Sequence, residues 1–261
     1  MREDFTPRLE VDGRPATLDQ VWAIDLSPRG HFTAMQVRGG ATLGLAFHLA
    51  RLDAATREMF GAGLDGDLVR GYIRHALGDD ISDASVRVNV YQPAGCPVSV
   101  LVSARPPAAP PARPQRLQSV SYLRPQAHLK FTGGFGQNYF GGLAGANGYD
   151  EALLTGPDGA IAEGSITNVG FIAGDAVVWP DAPALRGVMM QVLQRELSRA
   201  GVPWRHAPVR LADVASFDGA FVTNSHGLAA VASIDGVGLP ADSDLLATAA
   251  KLLAAAPQDT I

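Results

Sequence analysis

Lys130 is the residue of this sequence whose type and surroundings most clearly suggest chemistry. The 261-residue chain has 21 basic residues, of which only Lys130 and Lys251 are lysines. Lys130 lies in AHLKFTGGFG, between apolar neighbours and just before several glycines. A lysine in a partly desolvated strand releases its proton more readily, and its neutral amine can then form a Schiff base with a carbonyl compound. The alternative is a surface lysine whose stem packs on apolar residues.

A second candidate is Glu163, which follows in the strand-like run IAEGSITNVGF. If the strand continues through this run, Glu163, Ser165 and Thr167 share one face. A buried glutamate is costly without a partner, and a protonated ring nitrogen would be such a partner. The alternative is a glutamate on the solvent-facing side of a half-buried sheet.

Three further features could bind a phosphate group. The stretch LRGVMMQVLQ predicts a helix that begins near Gly187, so the backbone N–H groups of Val188 and Met189 would face an anion with the helix dipole behind them. The turn TNSHG, residues 223–227, offers hydroxyls, an amide and backbone donors. Arg51 in FHLARL could clamp a phosphate through two hydrogen bonds. Each feature also has an ordinary structural interpretation.

Several other kinds of site lack support. The sequence has no G-x-S-x-G, H-E-x-x-H or Walker A motif, and Gly133–Gly136 lacks the glycine spacing of a dinucleotide-binding loop. No metal ion is expected. His48, on the same predicted helix as Arg51, is interpreted as a structural histidine.

The elements that must position these residues alternate between strands and helices. We predict strands at 30–38, 86–90, 98–102, 119–124, 176–179, 221–224 and 231–234, a hairpin over 152–171, and helices at 44–60, 64–77, 187–200 and 242–255. The run RPPAAPPARPQR, residues 105–116, favours an extended linker because proline fixes φ and donates no backbone hydrogen bond. The sequence therefore predicts an N-terminal α/β domain over 1–105, a linker over 106–116 and a strand-rich C-terminal domain over 117–261. A long loop within a single domain is the alternative.

Composition limits the class of protein. The chain is 47% hydrophobic with a net charge of −5, which gives no electrostatic reason to expect nucleic acid or an anionic membrane as a partner. Its single cysteine, Cys96, cannot form an internal disulfide. No apolar stretch approaches the roughly 20 residues needed to cross a bilayer, and the charged N-terminus is unlike a signal peptide. A cytoplasmic location is expected.

The order of these motifs resembles the class IV aminotransferases. This fold-type IV group includes branched-chain aminotransferases, D-amino-acid aminotransferases and aminodeoxychorismate lyases. The resemblance runs from about Gly30 to Asp235 and rests on five blocks in the family's order: H-L-A-R-L at 48–52, Lys130, E-x-x-x-x-N at 163–168, L-x-G-V at 185–188, and T-N-S at 223–225.

The resemblance implies a two-domain α/β (α+β) fold and pyridoxal 5'-phosphate as cofactor. By resemblance, Lys130 carries the cofactor as a Schiff base and Glu163 pairs with its ring nitrogen. The remaining cofactor contacts would come from Arg51, Gly187, Val188, Met189, Thr223 and Asn224. Phe32, Thr33 and Ser225 would contact the substrate.

The implied activity is transfer of an amino group between an amino acid or amine and a 2-oxo acid. The alternatives are a carbon–carbon lyase that releases pyruvate and a cofactor-binding protein with degenerate activity.

The chain departs from the family pattern at several positions. Many relatives have threonine where Met189 stands and Gly-Asp-Gly where this chain has residues 27–31. Phe135 takes the place of a tyrosine of the branched-chain enzymes, which disfavours that substrate class. A homodimer is also implied.

Overall fold

The computed structural model describes residues 5–25 and 29–261. The chain divides into two units. The N-terminal unit comprises Met1–Ala108, Leu129–Gly133 and Pro257–Ile261, and the C-terminal unit comprises Ala109–His128 and Gly134–Ala256. Two segments that the sequence analysis placed in a domain over 117–261, namely Leu129–Gly133 with Lys130 and the last five residues, thus belong to the N-terminal unit.

The secondary structure mixes strands and helices throughout. In chain order the strands are β1 Arg8–Val11, β2 Arg14–Pro15, β3 Gly30–Arg38, β4 Ala41–Leu43, β5 Ala84–Tyr91, β6 Ser99–Arg105, β7 Gln115–Ser121, β8 Glu151–Thr155, β9 Ile161–Gly164, β10 Asn168–Ala173, β11 Ala176–Pro180, β12 Trp204–Ala207, β13 Gly219–Asn224, β14 Gly227–Ile234, β15 Val237–Gly238 and β16 Gln258–Thr260. The helices are α1 Leu18–Asp25, α2 Leu45–Phe60, α3 Gly66–Leu77, α4 Phe135–Ala146, α5 Val188–Arg199 and α6 Asp244–Ala254. None of the helices in the described ranges combines the length and apolar character that a membrane span requires.

The N-terminal unit is built on a seven-stranded antiparallel sheet in the order β16-β4-β3-β5-β6-β1-β2. Alternate residues of β5, Val86, Val88 and Val90, are fully buried in its core. Helix α2 is capped at its C-terminus by Gly61, whose φ of 70° suits glycine. Helix α3 is capped at its N-terminus by Asp65, whose carboxylate accepts from first-turn N–H groups. These caps fix the helix ends, so α2 presents a defined face to β3.

The C-terminal unit is built on a nine-stranded mixed sheet in the order β12-β11-β10-β13-β14-β7-β8-β9, with β15 paired to β14. Strands β14, β7 and β8 run parallel to one another, and β11 is parallel to β12. Its core includes Leu153, Ile161, Val169, Phe171 and Val231. Helix α5 begins beside this sheet at Gly187, which has an extended backbone with φ of −60° and ψ of 144°.

Most of the predicted elements are present. The structure confirms one predicted strand and four predicted helices, with each end within two residues of its expected position: the strand at 30–38 and the helices at 44–60, 64–77, 187–200 and 242–255. The strand predicted at 119–124 was wrong in position, because the strand is Gln115–Ser121 and the backbone turns away afterwards. Helix α4 was not predicted. Of the altered loop at 27–31, residues 27 and 28 lie outside the described residues.

Two predictions about the candidate residues themselves were also wrong. Strand β9 ends at Gly164, and Ser165–Thr167 form a turn, so these residues do not continue the face of Glu163. Lys130 lies in an irregular segment instead of a strand. Only its neighbour Phe131 forms an isolated β-bridge, with His31 of β3.

Candidate active site

Lys130 is held against strand β3 by backbone hydrogen bonds on both sides. Its carbonyl accepts from the N–H of Phe32 at 2.8 Å, and the N–H of Thr132 donates to the carbonyl of Gly30 at 2.8 Å. The Lys130 Nζ lies 4.8 Å from the centroid of the Phe32 ring. Residues 130–132 are thereby bound to β3 at two points, although they form no strand. The Lys130 amine lies over the face of the Phe32 ring.

Arg51 and His48 face the same strand from helix α2. They are one turn apart, and both engage the hydroxyl of Thr33, which is fully buried. Arg51 Nη2 donates to Thr33 Oγ1 in a short contact, and Thr33 Oγ1 lies 2.6 Å from His48 Nδ1. The geometry is satisfied if the hydroxyl accepts from Arg51 and donates to His48. Thr33, predicted to contact substrate, therefore has its hydroxyl engaged in orienting the guanidinium.

This cluster carries positive charge without a compensating acid. Among the described residues, no carboxylate pairs with Arg51, and its buried Nε has no hydrogen-bond partner. Burial lowers the pKa of Arg51 to about 10. Burial, with Arg51 and Lys130 nearby, holds the pKa of His48 well below its usual range, so the imidazole is neutral. The arrangement is suited to an anion.

A second guanidinium reaches the Phe32 ring from β5. The Cζ of Arg87 lies 3.6 Å from the ring centroid, and its Nε donates to Asn89 Oδ1 at 2.9 Å. Burial, followed by the charge of Arg105, lowers the pKa of Arg87. The ring of Phe32 is therefore approached by both Arg87 and Lys130. The sequence analysis missed Arg87 because an arginine in an alternating strand resembles any solvent-facing residue.

In the C-terminal unit, Glu163 is a buried carboxylate with both oxygens engaged. Its side chain lies on β9 and the residue is 4% exposed. Oε1 accepts from Arg124 Nε at 2.6 Å, and Oε2 accepts from the backbone N–H of Leu185 at 3.0 Å. The surface alternative for Glu163 is therefore wrong. Arg124, just after β7, was missed because nothing in a loop sequence marks a buried arginine.

Asn168 connects Glu163 to the start of helix α5. Its Nδ2 donates to the carbonyl of Leu185 at 2.7 Å, so Leu185 is held by Glu163 on one side and by Asn168 on the other. A Cβ placed on Gly187 would clash with Asn168 Oδ1, which only glycine avoids. No side chain caps α5 at Gly187. The first N–H groups of the helix, including those of Val188 and Met189, have no acceptor within the helix.

The predicted turn 223–225 adjoins this group through the sheet. Thr223 pairs with Asn168 across β10 and β13. The Thr223 hydroxyl donates to the carbonyl of Gly227 at 2.9 Å, and Asn224 Oδ1 accepts from the N–H of His226 at 2.8 Å. Both side chains stabilise the turn formed by Ser225 and His226, so Thr223 and Asn224 would offer a ligand their backbone donors.

The turn between Glu163 and Asn168 is organised by a residue that sequence reasoning missed. Glu151, at the start of β8, is 7% exposed. Its carboxylate accepts from the N–H groups of Ile166 at 2.7 Å and Thr167 at 3.1 Å, and from the Thr167 hydroxyl. Burial raises the pKa of Glu151 in spite of these donors. Glu151 thereby fixes the spacing between the two ends of the E-x-x-x-x-N block.

The sequence pattern of one known family, amino-transferase class IV, matches residues 30–234. The chain belongs to the class IV aminotransferase family. Class IV enzymes depend on pyridoxal phosphate and include aminotransferases and lyases that act on amino and keto acids. No curated protein matches the chain significantly.

Solved class IV structures share the fold at low sequence identity. A branched-chain aminotransferase from Thermoproteus uzoniensis superposes with a TM-score of 0.84 at 18% identity, covering 95% of this chain and 94% of that one. A hypothetical aminotransferase from Mycobacterium tuberculosis, in its PLP-bound form, gives 0.82 at 20% identity with 95% and 97% covered. A candidate 4-amino-4-deoxychorismate lyase from Legionella pneumophila gives 0.80 at 19% identity with 87% and 91% covered. The chain has the fold-type IV architecture of these class IV enzymes.

Proposed function

We propose that this protein is a pyridoxal-phosphate-dependent aminotransferase that moves an amino group between an amino acid or amine and a 2-oxo acid. The observation that carries the proposal is the guanidinium of Arg51, whose enclosed Nε has no hydrogen-bond partner and which has no acidic partner among the described residues, together with Lys130, whose charge acts on the same histidine, His48. A phosphate-bearing aldehyde is the kind of ligand that this pair of groups would bind.

The residues present fit pyridoxal phosphate. A phosphate would satisfy the buried Nε of Arg51, which has no partner among the described residues. In the C-terminal unit taken by itself, the start of α5 at Gly187 also suits a phosphate, because no side chain among the described residues caps it and a Cβ on residue 187 would clash with Asn168. By resemblance, the N–H groups of Val188 and Met189 would contact the cofactor. By resemblance, the backbone of Thr223–Asn224 would contribute further donors.

When bound, pyridoxal phosphate supplies an aldehyde for the substrate amine and a ring that withdraws electrons from the substrate Cα. Lys130 is the catalytic residue. Its amine would hold the cofactor covalently and then, once released, would remove and return a proton at the substrate Cα. Glu163 would accept a hydrogen bond from the protonated ring nitrogen and so keep its proton in place.

The surroundings of Phe32 suggest where a substrate carboxylate would bind. Arg87 and Lys130 both approach the ring of Phe32, at 3.6 Å and 4.8 Å from its centroid. Arg87 donates to an amide and pairs with no carboxylate among the described residues, so its remaining donors can serve a substrate. Phe32 would contact the substrate beside it, and Ser225 takes a substrate role by resemblance alone.

The activity is tested by incubating the protein with pyridoxal phosphate, a panel of amino donors and a 2-oxo acid acceptor, and by measuring the new amino acid. Lys130→Ala should abolish turnover, whereas Lys251→Ala, which removes the only other lysine, should leave it unchanged. Turnover that survives in Lys130→Ala would contradict the proposal. A wild-type protein that binds the cofactor but shows no turnover would favour the alternative of a cofactor-binding protein with degenerate activity.

A carbon–carbon lyase that releases pyruvate is the second candidate. It is favoured by the Phe32-Thr33 strand of this chain, which continues with Ala34 instead of a glutamate. The two activities differ in stoichiometry. An aminotransferase consumes a 2-oxo acid, whereas the lyase forms pyruvate from an aminodeoxychorismate-type substrate without any acceptor. Measuring pyruvate with and without added 2-oxo acid distinguishes them.

We also propose a homodimer, on the resemblance alone. Sedimentation of the purified protein at several concentrations tests this, and a single species with the mass of one 27.3 kDa chain would contradict it.

A further inference from the structure

The buried carboxylate of Glu163 is paired with a guanidinium as well as with a backbone amide. Arg124 and Glu163 are 7% and 4% exposed, and Arg124 Nε lies 2.6 Å from Glu163 Oε1. The Leu185 N–H occupies the other oxygen at 3.0 Å. The rotation of the carboxylate about its terminal bond is therefore fixed from two directions.

Arg124 also binds the backbone ahead of Lys130. Its Nη2 donates to the carbonyl of Ala127 in a short contact. Ala127 precedes Lys130 by three residues in the sequence. One planar guanidinium thus joins the candidate ring-nitrogen partner to the segment that leads to the candidate catalytic lysine.

A buried ion pair of this kind is weak grounds for a purely stabilising role. Removing two charges from water costs about as much as their attraction returns, so apolar residues of similar volume would stabilise the fold equally well. A buried carboxylate that lacks a cation takes up a proton instead of remaining charged. The pair therefore accomplishes something that an apolar pair would not, since a guanidinium in contact with a carboxylate favours its charged form, and the two donors hold the carboxylate of Glu163 in one orientation.

We propose that Arg124 is a positioning residue that holds Glu163 ionised and oriented for the ring nitrogen of the cofactor. This inference rests on the proposed function, because it concerns the same carboxylate. Arg124 itself would not touch the reacting atoms. Its contribution is the charge of Glu163, without which the carboxyl group could not form a charge-assisted hydrogen bond to a protonated ring nitrogen.

The test compares two ligands that differ only at the ring nitrogen. Cofactor-free protein is titrated with pyridoxal phosphate and with its 1-deaza analogue, in which carbon replaces that nitrogen, and both Kd values are measured by protein fluorescence. A hydrogen bond between charged groups predicts that the wild type prefers pyridoxal phosphate by about tenfold or more. Arg124→Met should bring this preference close to one, and Arg124→Lys should retain part of it. Arg113→Met, at an exposed arginine that pairs with Asp150, should leave the preference unchanged.

A structural role alone would weaken both ligands equally and leave their ratio as it is in the wild type. Retention of the wild-type ratio in Arg124→Met would therefore overturn the inference while leaving the proposed function intact. If Arg124→Met does not fold, Arg124→Gln, which removes the charge but keeps hydrogen-bond donors, takes its place, and an unchanged ratio in that variant overturns the inference in the same way. A wild type that binds neither ligand would contradict the proposed function itself.

Discussion

The two clusters of buried charge in this protein are balanced in opposite ways. In the N-terminal unit, the half-buried side chain of Arg51 lies beside Thr33 and His48 with its Nε enclosed, and no carboxylate among the described residues compensates its charge. In the C-terminal unit, the carboxylate of Glu163 is bound by Arg124 and by the Leu185 N–H. Because an uncompensated buried charge is costly, the first cluster indicates a ligand that is anionic, whereas the second is complete as a structural unit before any ligand binds.

This difference predicts that replacing Arg124 destabilises the protein far more than replacing an arginine in an exposed ion pair. Arg124→Met should lower the free energy of unfolding of the cofactor-free protein by about 3–5 kcal/mol, because it removes a buried cation that pairs with a buried carboxylate. Arg113→Met, whose side chain is 62% exposed in its pair with Asp150, should cost less than about 1 kcal/mol. Urea denaturation measures both. Equal losses in the two variants would mean that the Arg124–Glu163 pair is not the buried unit described above.

The histidines near Arg51 make the N-terminal unit sensitive to acid. Burial, and then the charge of Arg51, lowers the pKa of His31 to about 4 from a usual value near 6.5. Its contribution to stability is complete above about pH 6.5, where folded and unfolded states both hold it neutral. As the pH falls towards 4, the unfolded state binds the proton first and up to about 3 kcal/mol is lost.

This acid sensitivity is measured from urea denaturation at several pH values between 7 and 4. The wild type should lose stability more steeply over this range than His31→Gln, which keeps a hydrogen-bonding side chain but does not titrate. His48, whose pKa is lowered in the same direction, adds to the slope in both proteins. Parallel pH curves for the two proteins would show that His31 is not buried as a neutral group.

Arg51→Met should have little effect on stability but a large effect on ligand binding. No buried acid loses its partner, so the free energy of unfolding of the cofactor-free protein should stay the same or rise. Its affinity for pyridoxal phosphate should fall by about 10- to 100-fold, the contribution of a hydrogen bond to a charged group. Arg57→Met, on the same helix but solvent-exposed, is the matched control. A destabilisation as large as that of Arg124→Met would remove the contrast between the two clusters.

The smallest effect is expected at Glu151, which organises the turn after Glu163. Glu151→Gln keeps the shape and one acceptor oxygen for the N–H groups of Ile166 and Thr167, but it places an N–H₂ donor at the position of Oε2, which accepts from the Thr167 hydroxyl. A loss of about 1–2 kcal/mol in the free energy of unfolding is expected. Thermal denaturation of the two proteins measures this loss, and an unchanged melting temperature would show that the turn is held by other contacts.

The sequence predicted those parts of the fold that have a regular pattern. Strand β3 and helix α2 have clear apolar periodicity and glycine boundaries, and both were found where they were expected. Helix α4, FGQNYFGGLAGA, was missed because four glycines in twelve residues argue against a helix that tertiary packing nevertheless forms. Lys130 was placed in a strand because its neighbours are apolar, whereas it is held by two backbone hydrogen bonds outside any strand.

In the candidate site too, only the residues that belong to a local sequence pattern could be predicted. Arg51 and Glu163 could be proposed from motif spacing, and the structure shows Glu163 buried and Arg51 half-buried with its Nε enclosed. Arg124, Arg87 and Glu151 could not, because each acts through a partner that is distant in the sequence. A pairing of this kind depends on tertiary structure, and no local pattern in the sequence records it.

The most direct test of the account is to identify the residue that binds pyridoxal phosphate covalently. The protein is incubated with pyridoxal phosphate, reduced with borohydride, digested and analysed by mass spectrometry, alongside Lys130→Ala and Lys251→Ala. The account predicts a yellow protein whose visible band borohydride abolishes, with the reduced adduct on Lys130 in the wild type and in Lys251→Ala, and none in Lys130→Ala. An adduct on Lys251 alone, or a colourless wild type that acquires no adduct, would contradict it.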